Sequence, residues 1–168
     1  FTATETGEHK YEFKAESYAA LESNVTAFTV KIDRQVPVIR VSFEGTFGRW
    51  TGEGVTFNFS TEEASLSGIN YYYDNGNGWT LIDSGASIEI TDTTNAVYRF
   101  KAVNTAGTES YPSDSYHVMI DAKVPEITLT PEVTDVTPNP YKINISTEVG
   151  ESGLREVTCN GQDITNED

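Results

Sequence analysis

The chain repeats itself, and the period of the repeat limits what it can fold into more than any other feature. Tyr11, Phe13, Ala15, Glu22 and Ser23 recur as Tyr98, Phe100, Ala102, Glu109 and Ser110, 87 residues on. Ile32-Asp33 and Pro37 recur as Ile120-Asp121 and Pro125, 88 residues on. The middle of the chain also echoes its end. Val55-Thr56-Phe57-Asn58-Phe59-Ser60 matches Tyr141-Lys142-Ile143-Asn144-Ile145-Ser146, and Ser67-Gly68-Ile69 matches Ser152-Gly153-Leu154. A period near 87 residues is too long for a solenoid unit and suits one small β domain. We therefore expect residues 1–33 to be the C-terminal part of one repeat, 34–121 a whole repeat, and 122–168 the N-terminal part of a third.

Local patterns point to strands. In Tyr98-Arg99-Phe100-Lys101-Ala102 the apolar residues alternate with charged ones, and Tyr11-Glu12-Phe13-Lys14-Ala15 keeps the same parity. A turn-rich loop follows each, then a second alternating run, Phe28, Val30, Ile32 and Tyr116, Val118, Ile120. The glycine of the second loop, Gly107, is Ala20 in the first, so that turn is not expected to depend absolutely on glycine. Pro37 and Pro125 lack a ladder donor and suit the start of an edge strand, which places the boundaries at 33/34 and 121/122. Further strands are expected at 38–43, 55–59, 70–73, 79–82 and 88–90, with Trp50 in a Gly-rich loop at 44–54. Asn75-Gly76 marks a hairpin turn, because Asn and Gly tolerate positive φ. The total is about seven strands, the count of an antiparallel β-sandwich.

Composition narrows the function classes. A net charge of −15 repels phosphate backbones and argues against nucleic-acid binding. The plain account of this charge is a solvated acidic surface; a sharper one is structural calcium held by Asp and Glu oxygens at domain junctions. No apolar run approaches the length of a membrane span. The single cysteine, Cys159, cannot form an internal disulfide and is expected in the core.

The motifs Ser67-Gly68-Ile69 with Tyr71 to Tyr73, Gly78-Trp79, Tyr98-x-Phe100-x-Ala102, Thr105 to Ser110 and Ile120-Asp121 before Pro125 resemble the bacterial immunoglobulin-like tandem repeats of secreted and cell-surface proteins. The resemblance implies an all-β, seven-stranded immunoglobulin-like sandwich. It also implies an extracellular or cell-wall location and a role as spacer, stalk or adhesion module joined to neighbouring domains of the same polypeptide.

Catalytic constellations are scarce. His9 and His117 are the only histidines, and His117 lies on the parity opposite Tyr116 and Val118, facing outward. Glu62-Glu63 reads as a solvated loop pair, and the Asp74 turn lacks the oxygens of an EF-hand at Gly76, Gly78 and Gly85. No enzyme is expected, and no cofactor. The strongest binding candidates are aromatic: Tyr72, Trp79 and Trp50, which exposed could stack on a glycan or anchor a host surface protein. Aligning Gly68 with Gly153 pairs Tyr72 with Val157 and points Tyr72 inward, although a one-residue slip reverses this. The two end segments each leave strand edges and half a core to be covered. They are expected to complete one another head to tail between molecules, or to rest on the middle domain.

Overall fold

In the computed structural model, residues 1–62, 65–132, 136, 138, 140 and 142–165 are described. Glu63 and Tyr141 lie outside these residues. The regular structure is all β, with no helix among the described residues. The strands are β1 Gly7–Phe13, β2 Thr26–Ile32, β3 Ile39–Glu44, β4 Trp50–Thr51, β5 Val55–Thr61, β6 Ile69–Asp74 and β7 Thr80–Leu81. They continue as β8 Ser87–Ile90, β9 Thr94–Asn104, β10 Tyr116–Ile120, β11 Glu126–Pro131, β12 Ile143–Glu148, β13 Thr158–Cys159 and β14 Gln162–Asp163. One sheet has the order β4-β10-β9-β6-β7 and another β3-β5-β8, while β1-β2, β11-β12 and β13-β14 are two-stranded ribbons. Among the described residues of 34–121 there are eight strands, one more than expected. The addition is β4.

The chain divides into two compact units, Phe1–Phe43 with Phe57–Ile88 and Val97–Tyr116, and Glu44–Thr56 with Glu89–Ala96 and His117–Asp168. In the first unit, β6 pairs antiparallel with β9 so that Tyr71 faces Ala102, Tyr72 faces Lys101 and Tyr73 faces Phe100. The alternation of β9 decides its buried face: Tyr98, Phe100 and Ala102 are all buried. Rings of β5 meet them, with Phe57 and Phe59 centred 4.7 and 4.8 Å from Phe100. Phe59 stacks on Tyr71 at 5.4 Å, and Phe57 meets Tyr116 edge-on at 5.2 Å. Each such ring contributes about 1.5–3 kcal/mol by leaving water. The β1–β2 ribbon belongs to the same unit, with Tyr11 opposite Phe28 and Phe13 opposite Thr26.

In the second unit, β4 runs parallel to β10, with Trp50 beside Met119 and Thr51 beside Ile120. This departs from the purely antiparallel expectation and moves Trp50 out of the irregular loop onto a strand. The reason lies in the Gly-rich segment. Gly45 has φ +110, and a Cβ there would stand 2.9 Å from the Gly54 carbonyl, so only glycine permits this path. Gly48 N–H then donates to the His117 carbonyl at 2.7 Å, and Asp121 N–H to that of Thr51 at 3.0 Å. The β11–β12 ribbon pairs Leu129 with Ile145 and Pro131 with Ile143. The β13–β14 ribbon turns at Asn160 and Gly161, with φ of 50° and 81°. That turn leaves Cys159 exposed beside it, so Cys159 is not a core residue.

Candidate functional site: two strand-end carboxylates and an aromatic face

An aspartate follows β2 and another follows β10, and the two are held alike. Asp33 and Asp121 are both buried, with 8% and 9% of their surface exposed. The Oδ1 atom of Asp33 accepts from Gln35 N–H at 3.1 Å, and that of Asp121 from Lys123 N–H at 3.1 Å. Such a bond to the backbone two residues on closes an Asx turn and directs the chain after the strand. Asp33 Oδ2 accepts from the backbone N–H and hydroxyl of Ser67, at 3.1 and 2.7 Å. Asp121 Oδ2 accepts from the same two groups of Ser152, at 2.8 and 2.6 Å. Each serine precedes a left-handed glycine, Gly68 at φ +90 and Gly153 at φ +79. Each carboxylate thus ties the end of a strand to a Ser-Gly loop more than thirty residues further along the chain.

These donors favour the ionised form. Bonds from the Ser65 and Ser67 hydroxyls hold Asp33 below the ordinary aspartate range, with burial opposing them. The Ser152 hydroxyl and N–H do the same for Asp121. Carboxylates whose lone pairs are taken by hydroxyl and backbone donors are poor proton acceptors and good organisers of the chain.

A second correspondence sits in the loops after β1 and β9. Ala15 N–H donates to Ser23 Oγ, and Ala102 N–H to Ser110 Oγ, both at 2.9 Å. Ala20 N–H donates to the Ser17 carbonyl, and Gly107 N–H to that of Asn104, again at 2.9 Å. Ala20 adopts φ 59 and Gly107 φ 91, so alanine occupies the left-handed position that glycine fills in the other loop.

The aromatic candidates divide. Tyr71 is buried, and Tyr72 points the other way, which corrects the inward placement suggested by pairing it with Val157. The tyrosine run carries no alternation of its own, and the strand register makes Tyr71 the core residue. Tyr72 and Trp79 are brought together over Lys101, whose Nζ lies 5.6 Å from the Tyr72 ring centre and 4.8 Å from that of Trp79. Lys101 also pairs with Glu109 at 2.9 Å and is only 9% exposed. The two rings thus cover an ammonium that is already paired, an arrangement of about 0.5–2 kcal/mol. Trp50 is half-buried on β4 of the second unit.

The remaining polar features have local roles. Asp74 accepts from Gly76 and Gly78 N–H and from Arg99 Nη2, all within 3.1 Å, which fixes the hairpin turn. The Gly76 N–H, with Arg99 next, holds its carboxyl below the usual range. His117 is exposed and bonds through Nε2 to Asn95 Oδ1 at 2.7 Å. Among the described residues, no group of three or more His, Cys, Asp or Glu could hold a metal ion. No helix among them is long and apolar enough to cross a membrane. No protein-family model, no curated protein and no solved structure matches this chain.

Proposed function

We propose that this chain is a stretch of tandem immunoglobulin-like β-sandwich repeats that spaces or presents other modules of a bacterial secreted or cell-surface protein. The observation that carries the reading is the duplicated carboxylate arrangement at Asp33 with Ser67 and at Asp121 with Ser152. On the repeat boundaries at 33/34 and 121/122, each aspartate ends one repeat and each Ser-Gly loop belongs to the next. A spacer needs this kind of connection, in which the last strand of one repeat is fastened to the body of its neighbour and the short linker has no slack. The ring contacts of Phe57 and Phe59 with Tyr71 and Phe100 support a two-sheet sandwich. The paired loops at Ser23 and Ser110 support its repetition.

Backbone relaxation by NMR tests the reading. Residues 33–37 and 121–125 should show order parameters near those of the strands, about 0.85. Values below about 0.6 at both places would describe flexible tethers and refute the spacer. The alternative, a carbohydrate- or glycoprotein-binding accessory module, rests on the half-exposed Tyr72 and Trp79. Their engagement with Lys101 weighs against it. A glycan array separates the two: binding that disappears in Tyr72→Ala or Trp79→Ala would replace the spacer with the binding module.

A further inference from the structure

The chain contains three Asn-Gly pairs, Asn75-Gly76, Asn77-Gly78 and Asn160-Gly161. In such a pair the glycine nitrogen stands beside the asparagine amide with no side chain to hinder it, so its deprotonated form attacks the asparagine Cγ. The three pairs occupy two corresponding hairpin turns. Aligning Gly68 with Gly153 sets Asn75-Gly76 against Asn160-Gly161 and puts Cys159 where Asp74 stands. Both turns reach solvent: Gly76, Asn77 and Gly78 are exposed, and so are Asn160 and Gly161.

The two turns differ in what holds the attacking nitrogen. Gly76 N–H and Gly78 N–H both donate to Asp74 Oδ1, at 2.9 and 3.1 Å. A proton shared with a carboxylate is hard to remove, because the negative charge beside it opposes a second one on the nitrogen. The same bonds fix the direction of the N–H and keep the nitrogen turned from Cγ. At the other turn Cys159 offers only a thiol, a weak hydrogen-bond acceptor. The carboxylate of Asp163 is turned elsewhere, its Oδ1 accepting from Thr165 N–H at 2.9 Å and from the Thr165 hydroxyl at 2.5 Å. Among the described residues no carboxylate accepts from Gly161 N–H.

We infer that Asn160 is a site of uncatalysed covalent modification by deamidation, and that Asp74 protects Asn75 and Asn77 from the same reaction. The Gly161 nitrogen gives its proton to solvent and bonds to Asn160 Cγ. The Cγ–Nδ2 bond breaks, and ammonia leaves. Water then adds to either carbonyl of the resulting succinimide. One opening leaves an aspartate in the original chain, and the other leaves an isoaspartate whose main chain runs through Cβ and Cγ. Either product adds a negative charge, and the second also adds a backbone atom to a turn of two residues between Cys159 and Gln162.

Peptide mapping by mass spectrometry tests this on the full chain held in mildly alkaline buffer. Asn160 should convert to the acid while Asn75 and Asn77 keep their amides, a comparison within one molecule that needs no variant. Asp74→Ala should raise the rate at Asn75 about tenfold, the effect of losing one bond to a charged group, and leave Asn160 unchanged. Arg99→Ala removes the ion pair to Asp74 but not the bonds from Gly76 and Gly78, so Asn75 should stay slow. Conversion of Asn75 as fast as Asn160 in the parent overturns the inference. So does an Asp74→Ala chain in which Asn75 stays slow, or equal acceleration by Arg99→Ala, which would assign the protection to the hairpin as a whole.

Discussion

The Asp33 and Asp121 sites solve one problem with different third partners. At the first, Ser65 Oγ gives Asp33 Oδ2 an additional bond at 2.5 Å. At the second, the residue two before the serine is Gly150, and the carboxylate occupies the space a side chain would need. A Cβ on Gly150 would stand 2.0 and 2.3 Å from the two Asp121 oxygens. One site gains a donor, and the other gains close approach of carboxylate to backbone. The retained parts are the Ser-Gly pair and the Asx turn, which identifies them as the working elements and the third position as adjustable.

The largest effect that sharpens this contrast is expected from Gly150→Ala. The methyl must push the Asp121 carboxylate off Ser152, at a cost of about 1–3 kcal/mol, as for overpacking elsewhere. Ser152 should lose hydrogen-exchange protection while Ser67 keeps it. Equal loss at both serines would break the comparison. Next come the loop turns. Gly107→Ala places a Cβ at φ 91 and should destabilise by about 1 kcal/mol in chemical denaturation. Ala20→Gly relieves the same conformation in the other loop and should stabilise by up to about 1 kcal/mol, less what glycine adds to unfolded-chain entropy. Two changes of the same sign would show that the loops are not equivalent.

Smaller again is the effect of acid. Both aspartates have folded pKa values below their unfolded ones. Their stabilising contribution is therefore fully present above the ordinary aspartate pKa of about 3.9 and is lost as pH falls through the folded values. Exchange protection of the Ser67 and Ser152 amides should hold from neutral pH to about 4 and then decline at both sites together.

Much of the fold was legible where side chains alternate. The parity of Tyr98, Phe100 and Ala102 alone assigns the buried face of β9, because a strand leaves no other arrangement. Three consecutive tyrosines offer no parity, and the side chosen for Tyr71 emerges only from its pairing with Ala102. Cys159 was misplaced because its burial was inferred from residue type, although Asn160-Gly161 beside it is a hairpin signal. The carboxylate sites were half legible. Ile-Asp and Ser-Gly each recur in the sequence, yet they lie more than thirty residues apart, and only packing brings Asp33 to Ser67 and Asp121 to Ser152. Trp50 shows the reverse case, in which glycine content suggested a loop and the freedom of Gly45 instead let a short strand run parallel to β10.

That the two carboxylates are one device used twice is most directly tested by carbon NMR titration of the Asp33 and Asp121 carboxyl groups. Both should titrate below the ordinary aspartate range. Ser67→Ala should raise Asp33 alone, and Ser152→Ala should raise Asp121 alone. Ordinary titration of either aspartate, or no response to loss of its serine, would contradict a shared device.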